Sequence, residues 1–218
     1  MTFEEIEKNE TIRAYISKAD ESLVALGYTE HSFAHVTHVA AMAGYLLETL
    51  GYDAHTVELA KIAGYLHDIG NLVNRIEHSQ SGAVMAFQIL TSLGFGAEDV
   101  ATIVTAIGNH DESTAFPVNA VAAALILADK TDVRRTRVRN RDKATFDIHD
   151  RVNYAVEKAS TTLDAAGKAV VLDLQLDTGM SPVIDYFEIF LERMLLCRKA
   201  AEKLGLSFRL VVNGQTVL

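Results

Sequence analysis

The feature that most constrains the fold is a series of apolar segments with helical periodicity, which occupies about the first 130 residues. Glycines or helix-capping residues separate these segments, as is typical of helices joined by short turns. We expect Asp53 to cap its helix, and Pro117 to lie in the first turn of another. The pattern predicts helices over about 3–26, 32–50, 53–67, 79–93, 97–108 and 117–130. Residues 1–145 are therefore predicted to form one all-helical domain.

The pattern changes after about residue 145. Apolar and polar residues alternate over 169–177 and over 208–212, which is typical of strands with one buried face, and Asn213-Gly214 predicts a tight hairpin turn. Residues 151–164 fit a helix or a strand. We favour a strand, because the segment 165–168 would then close a hairpin with the strand that follows.

A long amphipathic segment over about 182–204 predicts a helix that covers this sheet, with Ser181-Pro182 at its start and Gly205 at its end. Its apolar residues are expected to pack against the sheet; they are Phe187, Phe190, Leu191, Met194 and Leu195. The predicted fold class is mostly α, in which the helical domain is followed over 150–218 by a small α+β extension with an antiparallel sheet.

Composition limits the environment of the chain. With 218 residues, of which 49% are hydrophobic, it can bury a sizeable core. Cys197 is its one cysteine, so no intrachain disulfide can form, and its apolar runs are shorter than the ~20 residues that span a bilayer. No signal-like segment opens the sequence. We expect a cytoplasmic protein without membrane association, with a homodimer as a possible assembly.

The distribution of charge is uneven. The net charge of −9 argues against general nucleic-acid binding, because phosphate backbones are bound by basic surfaces. Seven of the 20 Lys and Arg residues lie within 130–143. Such a run is usually a solvated surface, but it would also suit an anionic ligand.

Histidines and aspartates cluster near the predicted helix ends. Imidazole and carboxylate together suit divalent transition metals, and a carboxylate can bridge two ions. Neighbours on a helix point about 100° apart, so His67 and Asp68 can reach one ion only where the helix ends, as Gly70 predicts. The candidates are His35, His67, Asp68, His78, His110, Asp111 and Asp129, with His31 and His38 beside His35.

Other histidines allow simpler interpretations. His31, His35 and His38 are spaced to share one helix face, so a local metal site with one further ligand is conceivable. His55 and His149 have no motif around them, and we expect them to be hydrogen-bonded core residues.

The ordered set of motifs resembles the HD superfamily of metal-dependent phosphohydrolases, whose name refers to the doublet seen here as His67-Asp68. The resemblance covers roughly residues 30–132, in "HSFAHVTHVA", "LHDIGN", "HSQSGA", "NHD" and "LADKTD". It is closest in style to bacterial two-metal enzymes that cleave dinucleoside polyphosphates. It implies one metal held by His35, His67, Asp68 and Asp129, and a second held by His78 and His110, with Asp68 as the bridge.

The resemblance also implies a reaction, in which metal-bound water attacks the phosphorus of a nucleotide or another small phosphorylated compound. We predict catalytic roles for Asp68 and Lys130. The candidate phosphate-binding residues are Arg75, Lys130, Arg134 and Arg135. The cofactor would be one or two divalent ions, such as iron or manganese.

The sequence departs from the family in three places. Asn71 stands where many members have lysine, and Arg75 could replace that contact. No acidic pair stands shortly after the doublet, and no Gly-Tyr-Pro element is present, which disfavours guanosine polyphosphates and cyclic dinucleotides as substrates. Two alternatives stay open: a di-iron oxygenase of HD type, and a nucleotide sensor without catalysis.

Overall fold

Helices occupy most of the chain up to Lys130, as the apolar periodicity predicts. The computed structural model describes residues 1–112, 114–164, 166 and 168–218. The helices in this part are α1 (Phe3–Lys8), α2 (Glu10–Ala25), α3 (Phe33–Thr49), α4 (Ala54–Leu66), α5 (His78–Ser92), α6 (Ala97–Gly108) and α7 (Ala120–Lys130), with a short 3₁₀ helix at Ile69–Leu72. The described ranges contain no helix that is long and apolar enough to cross a membrane.

Asparagine caps explain two differences from the predicted helix boundaries. The predicted helix 3–26 is broken at Asn9, because its side chain accepts the backbone N–H groups of Thr11 and Ile12 and starts α2. Asn119 starts α7 in the same way, so Pro117 precedes the helix and the prediction for Pro117 was wrong. The prediction for Asp53 is confirmed, since its side chain accepts the N–H of Thr56 and caps α4.

Helices α3 and α4 pack with their backbones in close contact. A Cβ atom at Gly64 of α4 would lie 2.8 Å from the Cα of Ala40 and 2.9 Å from its nitrogen. Only glycine allows this approach without displacement of the helices. The close packing places His35, in the first turn of α3, next to His67, which directly follows α4.

The C-terminal part combines two helices with a four-stranded sheet. Its elements are α8 (Ile148–Ala155), β1 (Val156–Asp164), β2 (Ala169–Leu176), α9 (Val183–Lys203), β3 (Ser207–Val212) and β4 (Gln215–Thr216), and the strand order is β1-β2-β3-β4. The mostly helical fold class with a small C-terminal sheet is thus confirmed. Asn213 and Gly214 both have positive φ and form the predicted hairpin turn.

The predicted antiparallel arrangement is correct for two of the three strand pairings in this sheet. β1–β2 and β3–β4 are antiparallel, whereas β2–β3 is parallel. The parallel pairing follows from α9, which returns the chain to the end of the sheet where β2 begins. The antiparallel prediction was therefore wrong for β2–β3.

The segment 151–164, which fits a helix or a strand by its sequence, is helical in its first part and a strand in its second. Asp147 accepts the N–H of Asp150 and starts α8, so the strand prediction was wrong up to Ala155 and correct from Val156 onward. β1 and β2 pair antiparallel, as the predicted hairpin requires. Two of its residues, 165 and 167, lie outside the described part of the chain.

The apolar side chains form two core clusters. The first lies among the helices up to α7. The second joins Leu46 of α3 and Ile126 of α7 to Phe190 and Met194 of α9 and to the sheet. Leu191 differs from its prediction, because it is 46% exposed. The chain on either side of the predicted boundary at 145–150 therefore contributes to one shared core.

Candidate metal centre

The ends of α4 and α7 and the start of α3 bring three predicted ligands together. The Nε2 atom of His35 lies 3.3 Å from Nε2 of His67 and 3.4 Å from Oδ1 of Asp129. All three residues are buried. One ligand atom from each lies within 4.8 Å of the others, a spacing that a single metal ion can bridge.

Asp68 links this group to the two remaining histidines. Its Oδ2 atom lies 3.3 Å from Nε2 of His67, and its Oδ1 atom lies 3.5 Å from Nε2 of His78. His78 in turn lies 3.2 Å from His110, measured between their Nε2 atoms. A second group of ligand atoms within 4.8 Å comprises His67, Asp68 and His110, so the two groups share His67.

The other ring nitrogen of each histidine is already bonded. The Nδ1 atom of His35 donates to Oδ2 of Asp132 at 2.7 Å. The Nδ1 atoms of the other three histidines donate to backbone oxygens: His67 to Gly64 at 2.7 Å, His78 to Arg75 at 3.1 Å, and His110 to Ile107 at 2.6 Å. Because these partners are acceptors, Nδ1 carries the proton of the neutral ring, and Nε2 then presents its lone pair to the centre. This is the tautomer that binds a metal through Nε2.

The donor set fits divalent cations on its own chemistry. Oδ2 of Asp68 is buried and has no hydrogen-bond partner in the described part of the chain. An unpaired buried carboxylate oxygen is costly, and so are imidazole lone pairs that face each other. Cations between these atoms would satisfy both, so the residues suit a centre of one or two metal ions.

Local charges keep the acids of the centre ionised. Burial acts to raise the pKa of Asp68, but His67 and His31 outweigh it and hold the pKa well below its usual value. Burial also opposes ionisation of Asp129, whose pKa is nevertheless held well below its usual value, mainly by Lys130. Both acids are therefore anionic at neutral pH and available as ligands.

The histidines of the centre differ in proton affinity. Burial, together with the charge of His67, lowers the pKa of His110 well below its usual value. Burial also acts to lower the pKa of His67. Interactions led by the carboxylate of Asp68 outweigh burial, so the pKa of His67 lies above its usual value. A metal ion at His67 must therefore compete with a proton, whereas His110 is neutral and ready to bind.

Two of the predicted phosphate-binding residues contact the centre. Nη1 of Arg75 lies 3.4 Å from Nε2 of His78 and 3.8 Å from Oδ1 of Asp68. Nζ of Lys130 lies 2.6 Å from Oδ2 of Asp129 and 3.1 Å from Oε2 of Glu112. Asn71, which stands where many relatives have lysine, donates to Oδ1 of Asp68 at 2.9 Å. It therefore holds the carboxylate of Asp68 in place.

The other two predicted phosphate-binding residues bond elsewhere. Arg134 donates from Nε to Oδ1 of Asp132 at 2.6 Å. Arg135 donates to the backbone oxygen of Tyr154, and its guanidinium lies 4.6 Å from the centre of that ring. Neither residue contacts the ligand set in this structure.

The sequence reasoning missed two buried or part-buried acids. Asp132 orients His35, and its position three residues after Asp129 in the closing motif was the available signal. Glu112 bonds Lys130 and Arg193, and it follows the His110-Asp111 pair directly. Their roles depend on residues 97 and 81 positions away, which no local pattern identifies.

The remaining histidines lie outside the centre. His31 precedes α3 and bonds the backbone oxygen of Thr29, and His38 is 44% exposed, so the three spaced histidines do not converge on a local site. His55 is exposed and paired with Asp99, and His149 is exposed. The expectation that these last two are core residues was wrong, because both occupy the polar first turn of a helix.

Comparisons with known proteins agree with the sequence motifs. Residues 32–157 match the model of the HD domain. The chain is similar to the uncharacterized protein MJ1020 of Methanocaldococcus jannaschii, with 26% identity over 181 residues that cover 72% of this chain and 70% of that protein. It is also similar to Ribonuclease Y of Aquifex aeolicus, with 33% identity over 101 residues that cover 46% of this chain and only 16% of that protein.

One solved structure is also similar. It is a predicted HD superfamily hydrolase from an uncultured Thermotogales bacterium, with 24% identity and a TM-score of 0.44, and the match covers 62% of this chain and 75% of that one.

Proposed function

Because the chain belongs to the HD-domain family, we propose that it is a divalent-metal-dependent phosphohydrolase that acts on a nucleotide or another small phosphorylated compound. The observation that carries the proposal is the convergence of four imidazole Nε2 atoms and two carboxylates from separate helix ends. The Nδ1 hydrogen bonds orient the imidazoles, and the two acids are ionised, so both kinds of group are prepared as ligands. Burying these groups without cations would be costly.

In this proposal His35, His67, Asp68 and Asp129 hold one metal, and His78 and His110 hold a second on the other side of Asp68. Metal ions in such a centre supply a water molecule with a pKa near neutrality and take up charge on the phosphate. The same donors can bind iron, manganese, cobalt, nickel or zinc, so the identity of the metal has to be determined by experiment.

The protein's own cations have separate roles in the proposal. Arg75 reaches the Asp68 side of the centre, and its remaining N–H groups can bind phosphate oxygens in the forked geometry that guanidinium favours. Lys130 neutralises Asp129 and Glu112 with two of its three N–H donors, and the proposal assigns its third donor to the substrate. Asp68 is assigned as the catalytic bridge because each of its oxygens faces different histidines.

The test combines metal analysis with a substrate screen. Elemental analysis of the isolated protein identifies the metal, and metal-free protein is reloaded with each candidate cation and assayed on phosphate monoesters and polyphosphates. We expect turnover with at least one cation. Asp68→Ala should lower turnover and metal content by more than about 100-fold, beyond the usual loss for residues that only support a ligand.

Asp99→Ala is the matched control, because this surface aspartate also pairs with a histidine but lies outside the centre. Metal-loaded protein that cleaves no member of the panel would contradict the proposal. Oxygen consumption by the iron-loaded protein with an organic substrate would select the oxygenase alternative. Tight nucleotide binding without product would select the sensor.

A further inference from the structure

A cavity of about 370 Å³ adjoins the metal centre and has two walls from different parts of the chain. One wall includes His31 and Arg75, which connect it to the centre: the His31 ring lies 5.6 Å from the His35 ring, and Arg75 contacts His78. The other wall is formed by α8 and α9, through Asn153 and Arg193 among others. A larger cavity of about 450 Å³, between α2 and α5, contains none of the ligand residues.

Arg193 of α9 is tied to the metal centre by a chain of charged groups. Its Nε donates to Oε1 of Glu112 at 2.8 Å, and Oε2 of Glu112 accepts from Lys130 at 3.1 Å. Lys130 lies 2.6 Å from Oδ2 of Asp129. This chain fixes the position of the guanidinium relative to a metal ligand, which is the preorganisation that a binding residue needs.

The outer nitrogens of Arg193 are available to a ligand. Among the residues that the structure describes, no hydrogen bond uses its two Nη groups. The side chain is 25% exposed and lines the cavity, and its guanidinium packs over the ring of Phe190 at 4.7 Å. Two N–H groups held side by side match two oxygens of a phosphate.

Charge is divided across the cavity. Arg75, Arg137 and Arg193 line the cavity, whereas Asp147 and Asp150 line it from the start of α8. A phosphate group is therefore attracted to the arginines and repelled from α8. The carboxylates and Asn153 of α8 suit the opposite chemistry, since they can accept hydrogen bonds from hydroxyl or amino groups.

We propose that the C-terminal helices complete the substrate site: Arg193 binds the substrate phosphate together with Arg75, and α8 recognises hydroxyl or amino groups on the rest of the molecule. The inference rests on the proposed function and deepens it. The cavity is near the lower end of the usual range for ligand sites, about 300–1,000 Å³. The substrate is then a small polar phosphate monoester, because a dinucleoside polyphosphate would extend far into solvent.

The test uses Arg193→Gln and Arg193→Lys in the full-length, metal-loaded protein. Arg198→Gln is the matched control, since Arg198 is on the same helix but exposed. Calorimetry measures the Kd of inorganic phosphate, and kinetics give KM and kcat for the best monoester. We expect Arg193→Gln to raise Kd and KM about tenfold or more, with a smaller change in kcat and unchanged metal content. The control should match the wild type.

Arg193→Lys keeps the positive charge and can still bond Glu112, but it loses the two parallel N–H groups of the guanidinium. If Arg193→Gln also loses metal or thermal stability, a raised phosphate Kd in a stable Arg193→Lys variant supports the proposal, and an unchanged Kd overturns it. Equal Kd values for Arg193→Gln and Arg198→Gln would also overturn it, as would wild-type protein that binds no phosphate.

The two proposals fail separately in this experiment. Phosphate binding that depends on Arg193, in a protein that hydrolyses no ester, supports the anion site and removes the proposed function. Hydrolysis that is unchanged when Arg193 is replaced supports the proposed function and contradicts the proposed role of the C-terminal helices.

Discussion

Two aspartate–histidine pairs in this chain have nearly the same length but different surroundings. Asp132 lies 2.7 Å from Nδ1 of His35, and both side chains are buried. Asp99 lies 2.8 Å from Nε2 of His55, whose side chain is 65% exposed. Solvent screens the exposed pair, whereas burial makes the other pair an orienting contact for the candidate metal ligand His35.

Asp132→Asn should weaken the centre without unfolding it. The amide keeps an acceptor near His35 but loses the negative charge that makes the imidazole a better ligand. We expect metal affinity and turnover to fall about 10- to 100-fold, measured by metal titration and steady-state kinetics. Asp99→Asn is the control and should change neither. Equal effects of the two substitutions would contradict the assigned role of Asp132.

The short connection between α4 and α5 is the element that joins the two halves of the centre. After His67 and Asp68 the chain passes through Gly70, whose backbone lies against the start of α5. A Cβ atom at Gly70 would lie 2.0 Å from the backbone oxygen of His78 and 2.5 Å from the nitrogen of Gly82. This packing brings the carboxylate of Asp68 within reach of His78.

Gly70→Ala should therefore separate these elements. Because both clashing atoms belong to the backbone, neither can rotate away, and we expect the free energy of unfolding to fall by about 2–3 kcal/mol, with loss of metal at His78. Urea denaturation and metal analysis measure the two effects. Gly96→Ala is the control, since nothing lies within 4 Å of a Cβ there. A Gly70→Ala protein as stable as the control would contradict the packing argument.

At the scale of the whole molecule, the helical domain and the C-terminal sheet share a core. Leu46 and Ile126 pack in the same cluster as Phe190 and Met194. Cys197 also lies in this cluster and is fully buried, and burial raises the pKa of its thiol. The thiol is therefore protonated and shielded in the folded state.

Cys197 can report whether the two parts unfold together. We expect the thiol to react with Ellman's reagent only as the chain unfolds, so that labelling and the loss of helical circular dichroism follow the same urea dependence. Cys197→Ser provides the control for non-specific reaction. Labelling at lower urea than the loss of helicity would mean that the C-terminal part opens independently.

The sequence alone was sufficient for most of the helices and for the ligand types of the centre. Glycines and capping residues mark helix ends within a few positions, and the candidate ligands stand at or near those ends in motifs that resemble those of the HD superfamily. Where a competing local signal was overlooked, as at Asn9 and Asn119, the predicted boundary was wrong.

Tertiary structure decided which of these groups meet and in what orientation. The parallel pairing of β2 with β3 depends on the path of α9, and the contacts His35–Asp132 and Arg193–Glu112 join residues far apart in the chain. Local sequence specifies hydrogen bonds within a few residues, whereas these contacts depend on how helices pack. The candidate ligands could therefore be named from the chain, but their partners and the cavity wall formed by α8 and α9 came only from the packing of the helices and sheet.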